Sequence, residues 1–195
     1  MTASQAGLLT LGYGITIIAF IRIGEKLLQR FGPRKPMIWA CLIVGLACIL
    51  LMPTNLLVSQ YKILAIVAYV LFGLGLAFYA TPSTDAALAN LPANQAGSGA
   101  GIYKMASSLG GAIGAAISLA LFTAFRGSTE ATVFLGDVLV NYGRTDNVAL
   151  RRAAVIALGF NLLMVIIAIM SITLTVPKGK GETNAGERDA ESESR

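Results

Sequence analysis

Long apolar runs alternate with short polar stretches along the chain, a pattern typical of helices that cross a membrane. A helix needs about 20 residues to span a bilayer. The runs predict five transmembrane helices, at about 4–22, 37–53, 62–81, 102–125 and 153–176. We therefore expect an all-α integral membrane protein in which residues 1–176 form the membrane domain.

The polar stretches between these runs differ in character. Residues 22–36 predict a short basic loop broken by two prolines, and residues 81–96 predict a connector without Lys or Arg that holds a short helix at 86–90. Residues 126–152 predict an extracellular loop, either an ordered cap or a mobile segment. Residues 177–195 are polar and poor in aromatics, which predicts a disordered cytoplasmic tail.

Composition narrows the class of protein. The chain is 55% hydrophobic and 13% charged, whereas about a quarter of a soluble domain is charged. Histidine, the usual side chain for acid–base chemistry near neutral pH and the commonest metal ligand, is absent from the sequence. Cys41 and Cys48 would share a helix face at about 10 Å, too far for a disulfide. We expect no enzyme, no metal or cofactor, and no nucleic-acid partner.

Basic residues predict the orientation, because short cytoplasmic loops are enriched in Lys and Arg. With five spans, the basic loop and the tail lie on one side, and the long loop lies on the other. This favours an outside N-terminus and a cytoplasmic C-terminus. The first residues lack the positive start of a cleavable signal peptide, so none is expected. The basic residues on the predicted cytoplasmic side are Arg22, Lys26, Arg30, Arg34, Lys35, Lys178 and Lys180.

The fourth run opens with a glycine-rich stretch, GSGAGIYKMASSLGGAIGAA, which has six glycines and five alanines in residues 97–116. In a soluble helix each glycine would cost about 1 kcal/mol relative to alanine, but small residues let membrane helices approach closely. We expect this helix to be the packing spine of the domain; the alternative is a flexible helix that lines a substrate path. The candidate packing residues are Gly97, Gly99, Gly101, Ser107, Gly110, Gly111, Gly114 and Ala115.

Residues 24–35 (GEKLLQRFGPRK) resemble the basic motif that joins the second and third helices of a major facilitator half. Gln29 stands where the family has an acidic residue, and Glu25 where it has the first glycine. The resemblance implies that the motif ties helices together by charge pairs in one conformation; the plainer alternative is that it only sets topology. The matching or associated residues are Leu27, Arg30, Gly32, Arg34 and Lys35.

Residues 82–117 are similar to the fourteen-helix drug:proton antiporters of this superfamily, especially the staphylococcal-type multidrug and quinolone exporters. Pro82, Pro92 and the residues 109–114 (LGGAIG) follow that pattern, whereas Ser107 stands where many relatives have Arg. The resemblance implies the last five of fourteen spans, a partial C-terminal half of the major facilitator fold. It also implies a multi-pass protein of the bacterial cell membrane that exports lipophilic or cationic drugs by alternating access.

Candidate site residues follow from chemistry and resemblance. Asp85 is the only acid between Glu25 and Glu130, and it caps the short helix at 86–90, pairs with the basic loop or carries a proton. No acid or histidine lies at mid-depth in a predicted span, so we do not expect this chain alone to couple transport to protons. Side chains that could line a substrate path, or else face lipid or core, are Tyr13, Tyr79, Tyr103, Met105 and Ser107.

Two functional hypotheses remain open at this point. The chain acts in efflux as part of a larger transporter, with a separately encoded N-terminal half as its partner. Alternatively, it is a stand-alone small membrane protein that binds partners, or an inactive truncated remnant.

Overall fold

Five long helices account for most of the fold. The computed structural model describes residues 3–54, 58–89, 91–126 and 147–176. No strand occurs in these residues, which confirms the expected all-α class. Successive helices alternate in direction; we call the end of the bundle where α1 turns into α2 the Gly32 end, and the opposite end the Thr54 end. The helices are α1 (Ala3–Phe31), α2 (Arg34–Leu51), α3 (Val58–Leu88), α4 (Ala96–Phe125) and α5 (Val148–Thr175), with a 3₁₀ turn at Ala93–Gln95 before α4.

The connection between α1 and α2 is much shorter than the loop predicted at residues 22–36. Residues 22–31 continue α1: they contain no proline, and their one glycine, Gly24, packs against α3. The helix ends at Gly32, whose φ of 74° is left-handed and is tolerated best by glycine. Pro33 follows, and Pro36 lies in the first turn of α2, where a missing N–H costs little. A predicted loop is therefore a two-residue turn.

The connector predicted at residues 81–96 is also largely helical. α3 continues through Pro82 to Leu88. In this stretch the hydroxyls of Ser83 and Thr84 both donate to the carbonyl of Ala80, at 3.1 and 2.9 Å. The short helix expected at 86–90 is thus the last turn of α3, and Asp85 lies inside that helix instead of capping another.

Helix α3 packs closely against both α1 and α2, and glycines allow the contact. A methyl group at Gly73 would lie 2.8 Å from the carbonyl oxygen of Tyr13 in α1, and one at Gly75 would lie 2.6 Å from the Val44 side chain in α2. On the α1 side, a methyl group at Gly24 would lie 2.5 Å from the carbonyl oxygen of Ala77. A side-chain carbon does not come within 3.0 Å of such atoms, so any larger residue at these three positions would force the helices to shift. Within this chain the packing spine is α3.

Helix α4 packs differently from the prediction for the glycine-rich stretch. None of its residues is buried, and it contacts mainly α5. A methyl group at Gly97, Gly101, Gly110, Gly111 or Gly114 would meet no atom within 4 Å. Gly99 is the exception, since it faces the side chains of Leu91 and Leu88. Within the described residues these five glycines therefore meet no neighbouring helix, and the expected packing role of the row stays a prediction.

Four helices are long and apolar enough to cross a membrane. They cover Arg34–Leu51, Gln60–Leu88, Ala96–Phe125 and Val148–Thr175, and the mean hydropathy of their best windows runs from 1.8 to 2.7. Helix α1 is not among these four, and most of its side chains before Leu11 lie outside the described residues. The first predicted span, at 4–22, remains a prediction.

The predicted extracellular loop and tail fall largely outside the described residues. The structure describes neither 127–146 nor 177–195. The last part of the loop, however, is helical, because α5 begins at Val148 where the prediction placed it at residue 153.

Candidate functional site

A cavity of about 680 Å³ lies between α2, α3 and α5. Tyr69, Phe72 and Tyr79 of α3 supply aromatic walls, and Gly111 is the residue of α4 that reaches it. Among the described residues that line it there is no carboxylate and no cationic side chain. A space of this size, mainly apolar with a few polar groups, is typical of small-molecule sites in proteins.

Helical spacing explains why these residues share the cavity. Phe72, Leu76 and Tyr79 recur at intervals of four and three, which places them on one face of α3. Cys41 and Cys48, seven apart on α2, lie on the opposing wall as buried free thiols. Their predicted common helix face is confirmed, since both line the same space.

Asn161 is a polar residue of the cavity that the sequence reasoning missed. Its side-chain amide donates to the hydroxyl of Ser118 in α4 at 3.2 Å and to the carbonyl of Ala157 at 2.8 Å. The first bond ties α4 to α5, the second lies within α5, and the amide remains at the cavity surface. The available signal was the isolation of Asn161 within the apolar run of the fifth span, because polar residues in membrane helices commonly bond a neighbouring helix.

The five predicted substrate-lining residues are not brought together. Tyr79 lines the cavity, and Tyr13 stands behind it, with its ring 5.8 Å from that of the lining residue Phe72. Tyr103 donates to the hydroxyl of Ser83 at 2.7 Å, which joins α4 to α3 away from the cavity lining. Met105 and Ser107 lie exposed on α4.

The basic motif lies at the Gly32 end. Arg34, the first residue of α2, donates to the carbonyl of Thr173 in the last turn of α5 at 2.7 Å. The final carbonyls of a helix lack partners within it and carry its negative dipole end, so a guanidinium there is favourable. Leu27 is half-buried on α1, and Gly32 makes the turn. One arginine of the motif therefore holds α2 and α5 together.

Two further cations of the motif, Arg30 and Lys35, lie near one aromatic ring. The guanidinium carbon of Arg30 lies 5.3 Å from the ring centre of Phe31, and the amine of Lys35 lies 5.9 Å from it. Trp39 meets the same ring edge-on at 5.2 Å. Both cations are exposed.

Asp85 does not join this group. It is half-buried on α3, and among the described residues no ion pair connects it to a cation of the motif. The predicted pairing of Asp85 with the basic loop is therefore absent from this structure.

Buried arginine also occurs at the Thr54 end. Arg151, in the first turn of α5, is largely buried and donates to the carbonyl of Thr54 at 3.4 Å. Together with Arg34 it gives the antiparallel helices α2 and α5 an arginine–carbonyl bond near each end. The sequence reasoning had placed Arg151 in the extracellular loop and gave it no structural role.

Similarity to known proteins identifies the family of this chain. A model of the Major Facilitator Superfamily matches residues 1–193. The chain is 44% identical over 176 residues to the Quinolone resistance protein NorB of Staphylococcus aureus strain MRSA252, and the match covers 89% of this chain and 34% of the relative. It is 43% identical to the protein of that name from strain bovine RF122 / ET3-1, with the same coverage. The chain thus spans about a third of the length of these relatives. The family expected from the glycine-rich stretch and the basic motif is confirmed: the chain belongs to the major facilitator superfamily.

Proposed function

We propose that this chain forms part of a multidrug efflux transporter and supplies one wall of its substrate path. The observation that carries the proposal is the cavity between α2, α3 and α5, whose aromatic and apolar walls suit a lipophilic drug. The name of the relatives, quinolone resistance protein, supports the same class of substrate. Transport would proceed by alternating access, in which halves of the transporter rock around a central site.

The chain would act together with protein outside it. The match covers only 34% of the relatives' length, and α4 presents a face of small residues that no other described part of the chain covers. We propose that this face packs against helices of the remaining transporter, encoded separately or in a longer form of the same protein. Because no carboxylate lines the cavity, proton coupling would depend on acids in that remaining part.

We further propose that the Gly32 end faces the cytoplasm. Arg22, Lys26, Arg30, Arg34 and Lys35 all lie toward that end of α1 and α2. Short cytoplasmic segments are enriched in such residues. In this orientation the N-terminus is outside, and the C-terminus of α5 is cytoplasmic.

Drug accumulation in bacteria tests the proposal. Cells lacking their own exporters would express this chain alone, the preceding segment of a staphylococcal relative alone, or both together. We expect reduced fluoroquinolone accumulation only with both, and loss of the effect when the proton gradient is collapsed. Efflux by the chain alone would contradict the proposed need for a partner. Equal accumulation in all cells would favour a partner-binding protein or an inactive remnant.

A pair of substitutions at one position tests the cavity itself. Cys48→Phe places a ring in the space between α2 and α3, whereas Cys48→Ala leaves that space open. With both segments expressed at equal levels in the membrane, we expect Cys48→Phe to lose most drug extrusion and Cys48→Ala to retain it. Equal extrusion by the two variants would place the substrate path elsewhere.

A further inference from the structure

The outward face of α2 carries a line of side chains that the cavity does not use. Lys35, Trp39, Leu42, Leu46 and Ile49 follow one another at intervals of four, three, four and three, so they share one face of the helix. The four apolar members are between 39% and 56% exposed. The opposite face of α2, in contrast, is buried against α3 and α5.

A cationic cluster stands at the Gly32 end of this line. Arg30 and Lys35 both lie over the ring of Phe31, within 6 Å of its centre, and Trp39 packs against the edge of that ring. An anion bound at Phe31 would therefore lie close to two positive charges.

The two cations of this cluster have no acidic partner in the part of the chain that the structure describes. Arg34, their neighbour, is already engaged by the carbonyl of Thr173. The cluster thus has charge available for an external anion. Charge complementarity selects an anionic group over a zwitterionic or neutral one.

We propose that this face binds one anionic phospholipid. The phosphate lies between Arg30 and Lys35, and an acyl chain follows Leu42, Leu46 and Ile49. The dimensions agree: Trp39 and Ile49 are ten residues apart, about 15 Å along a helix. That distance is about half of the roughly 30 Å hydrocarbon core, the depth of one leaflet. A tryptophan lies at the level where headgroups meet hydrocarbon, as in interfacial aromatic belts.

The site is independent of the proposed efflux function. It lies on the opposite side of α2 from the cavity thiols Cys41 and Cys48. Its test needs no transport measurement and applies to the chain by itself.

Trp39 reports directly on the site because it is the only tryptophan in the chain. The full chain would be reconstituted in bilayers that mix phosphatidylcholine with phosphatidylglycerol, one of the two lipids being brominated in each series. Bromine quenches tryptophan on contact, so the two series give the relative affinity of each lipid at Trp39. We expect a preference for phosphatidylglycerol of about fivefold or more, since each nearby cation favours anionic lipid by about that factor.

Matched variants separate a site from general attraction. Arg30→Gln/Lys35→Gln removes the two charges over Phe31, and Arg22→Gln/Lys26→Gln removes two charges from the same end of α1 without touching that ring. We expect the first double variant to lose the preference and the second to keep it. Arg30→Lys/Lys35→Arg, which retains both charges, is expected to keep it as well.

Four results would overturn the proposal. The wild-type chain could quench equally with both lipids, or the two double variants could lose the preference to the same extent. Inorganic phosphate could remove the preference where sodium chloride of equal ionic strength does not, which would assign the site to a free anion. Finally, the preference could appear only after residues 182–195 are deleted, which would make the acidic tail the occupant.

Discussion

Replacing Gly73 by alanine tests the packing of α3 against α1. The added methyl group would lie 2.8 Å from the carbonyl oxygen of Tyr13 and 3.0 Å from the β-carbon of Thr16, whereas ordinary contact begins at 3.4 Å. A backbone oxygen cannot turn aside as a flexible side chain can. The two helices must therefore separate by several tenths of an ångström along their interface.

The magnitude follows from two opposing terms. Overpacking a tight interface costs about 1–3 kcal/mol, and alanine recovers up to about 1 kcal/mol of helix propensity relative to glycine. We expect Gly73→Ala to lower the free energy of unfolding by about 1–2 kcal/mol. Gly110→Ala is the matched control in α4. It meets no atom within 4 Å, so we expect unchanged stability or a gain of up to about 1 kcal/mol.

Equilibrium unfolding in mixed micelles of a mild detergent and sodium dodecyl sulfate would measure this difference. The fluorescence of Trp39, which packs on Phe31, reports the transition. Gly24→Ala, with the carbonyl oxygen of Ala77 only 2.5 Å from the new methyl group, should unfold at least as early as Gly73→Ala. Two results would contradict this packing: Gly110→Ala unfolding at as low a fraction of sodium dodecyl sulfate as Gly73→Ala, or Gly73→Ala unfolding at the same fraction as the wild-type chain.

Three further substitutions probe single contacts in the same unfolding assay. Arg34→Ala removes the bond to the carbonyl of Thr173 and should cost about 1–2 kcal/mol; a cost equally large for Arg34→Lys would argue against a role for the guanidinium. In a double-mutant cycle, Asn161→Leu and Ser118→Ala should show a coupling of about 0.6 kcal/mol, and simple additivity would mean that their bond contributes nothing. Gly32→Ala forces a left-handed alanine at φ 74° and should cost about 1–2 kcal/mol, whereas an unchanged midpoint would show that the turn rearranges freely.

The sequence predicted the class and the helix order, but not the contacts. Apolar runs of sufficient length identify membrane helices because backbone polar groups must be satisfied inside a bilayer. The same runs left the helix ends undetermined: residues 22–31 look like a basic loop, yet they contain no proline and continue α1. Pro82 looks like a terminator, yet it lies within α3.

The site was harder to predict than the fold, for a physical reason. The glycine-rich stretch signals close approach but does not say which helix approaches, and most of its glycines meet no neighbour within the described residues. Three glycines that press against a neighbouring helix, Gly24, Gly73 and Gly75, lie outside that stretch. Tyr79 was found as a lining residue, whereas Asn161 was missed because a lone amide gives little signal without its partner Ser118.

The proposed function depends most on one interaction, the packing of the face of small residues on α4 against the remaining transporter. The most direct measurement is co-purification of the preceding segment of a staphylococcal relative with the tagged chain, comparing the wild-type chain with Gly110→Leu/Gly114→Leu. A methyl group at either position would meet no atom of the described residues within 4 Å, so we predict normal unfolding of the variant alone but loss of the captured segment. Capture of the segment by the variant as efficiently as by the wild-type chain would contradict the claim.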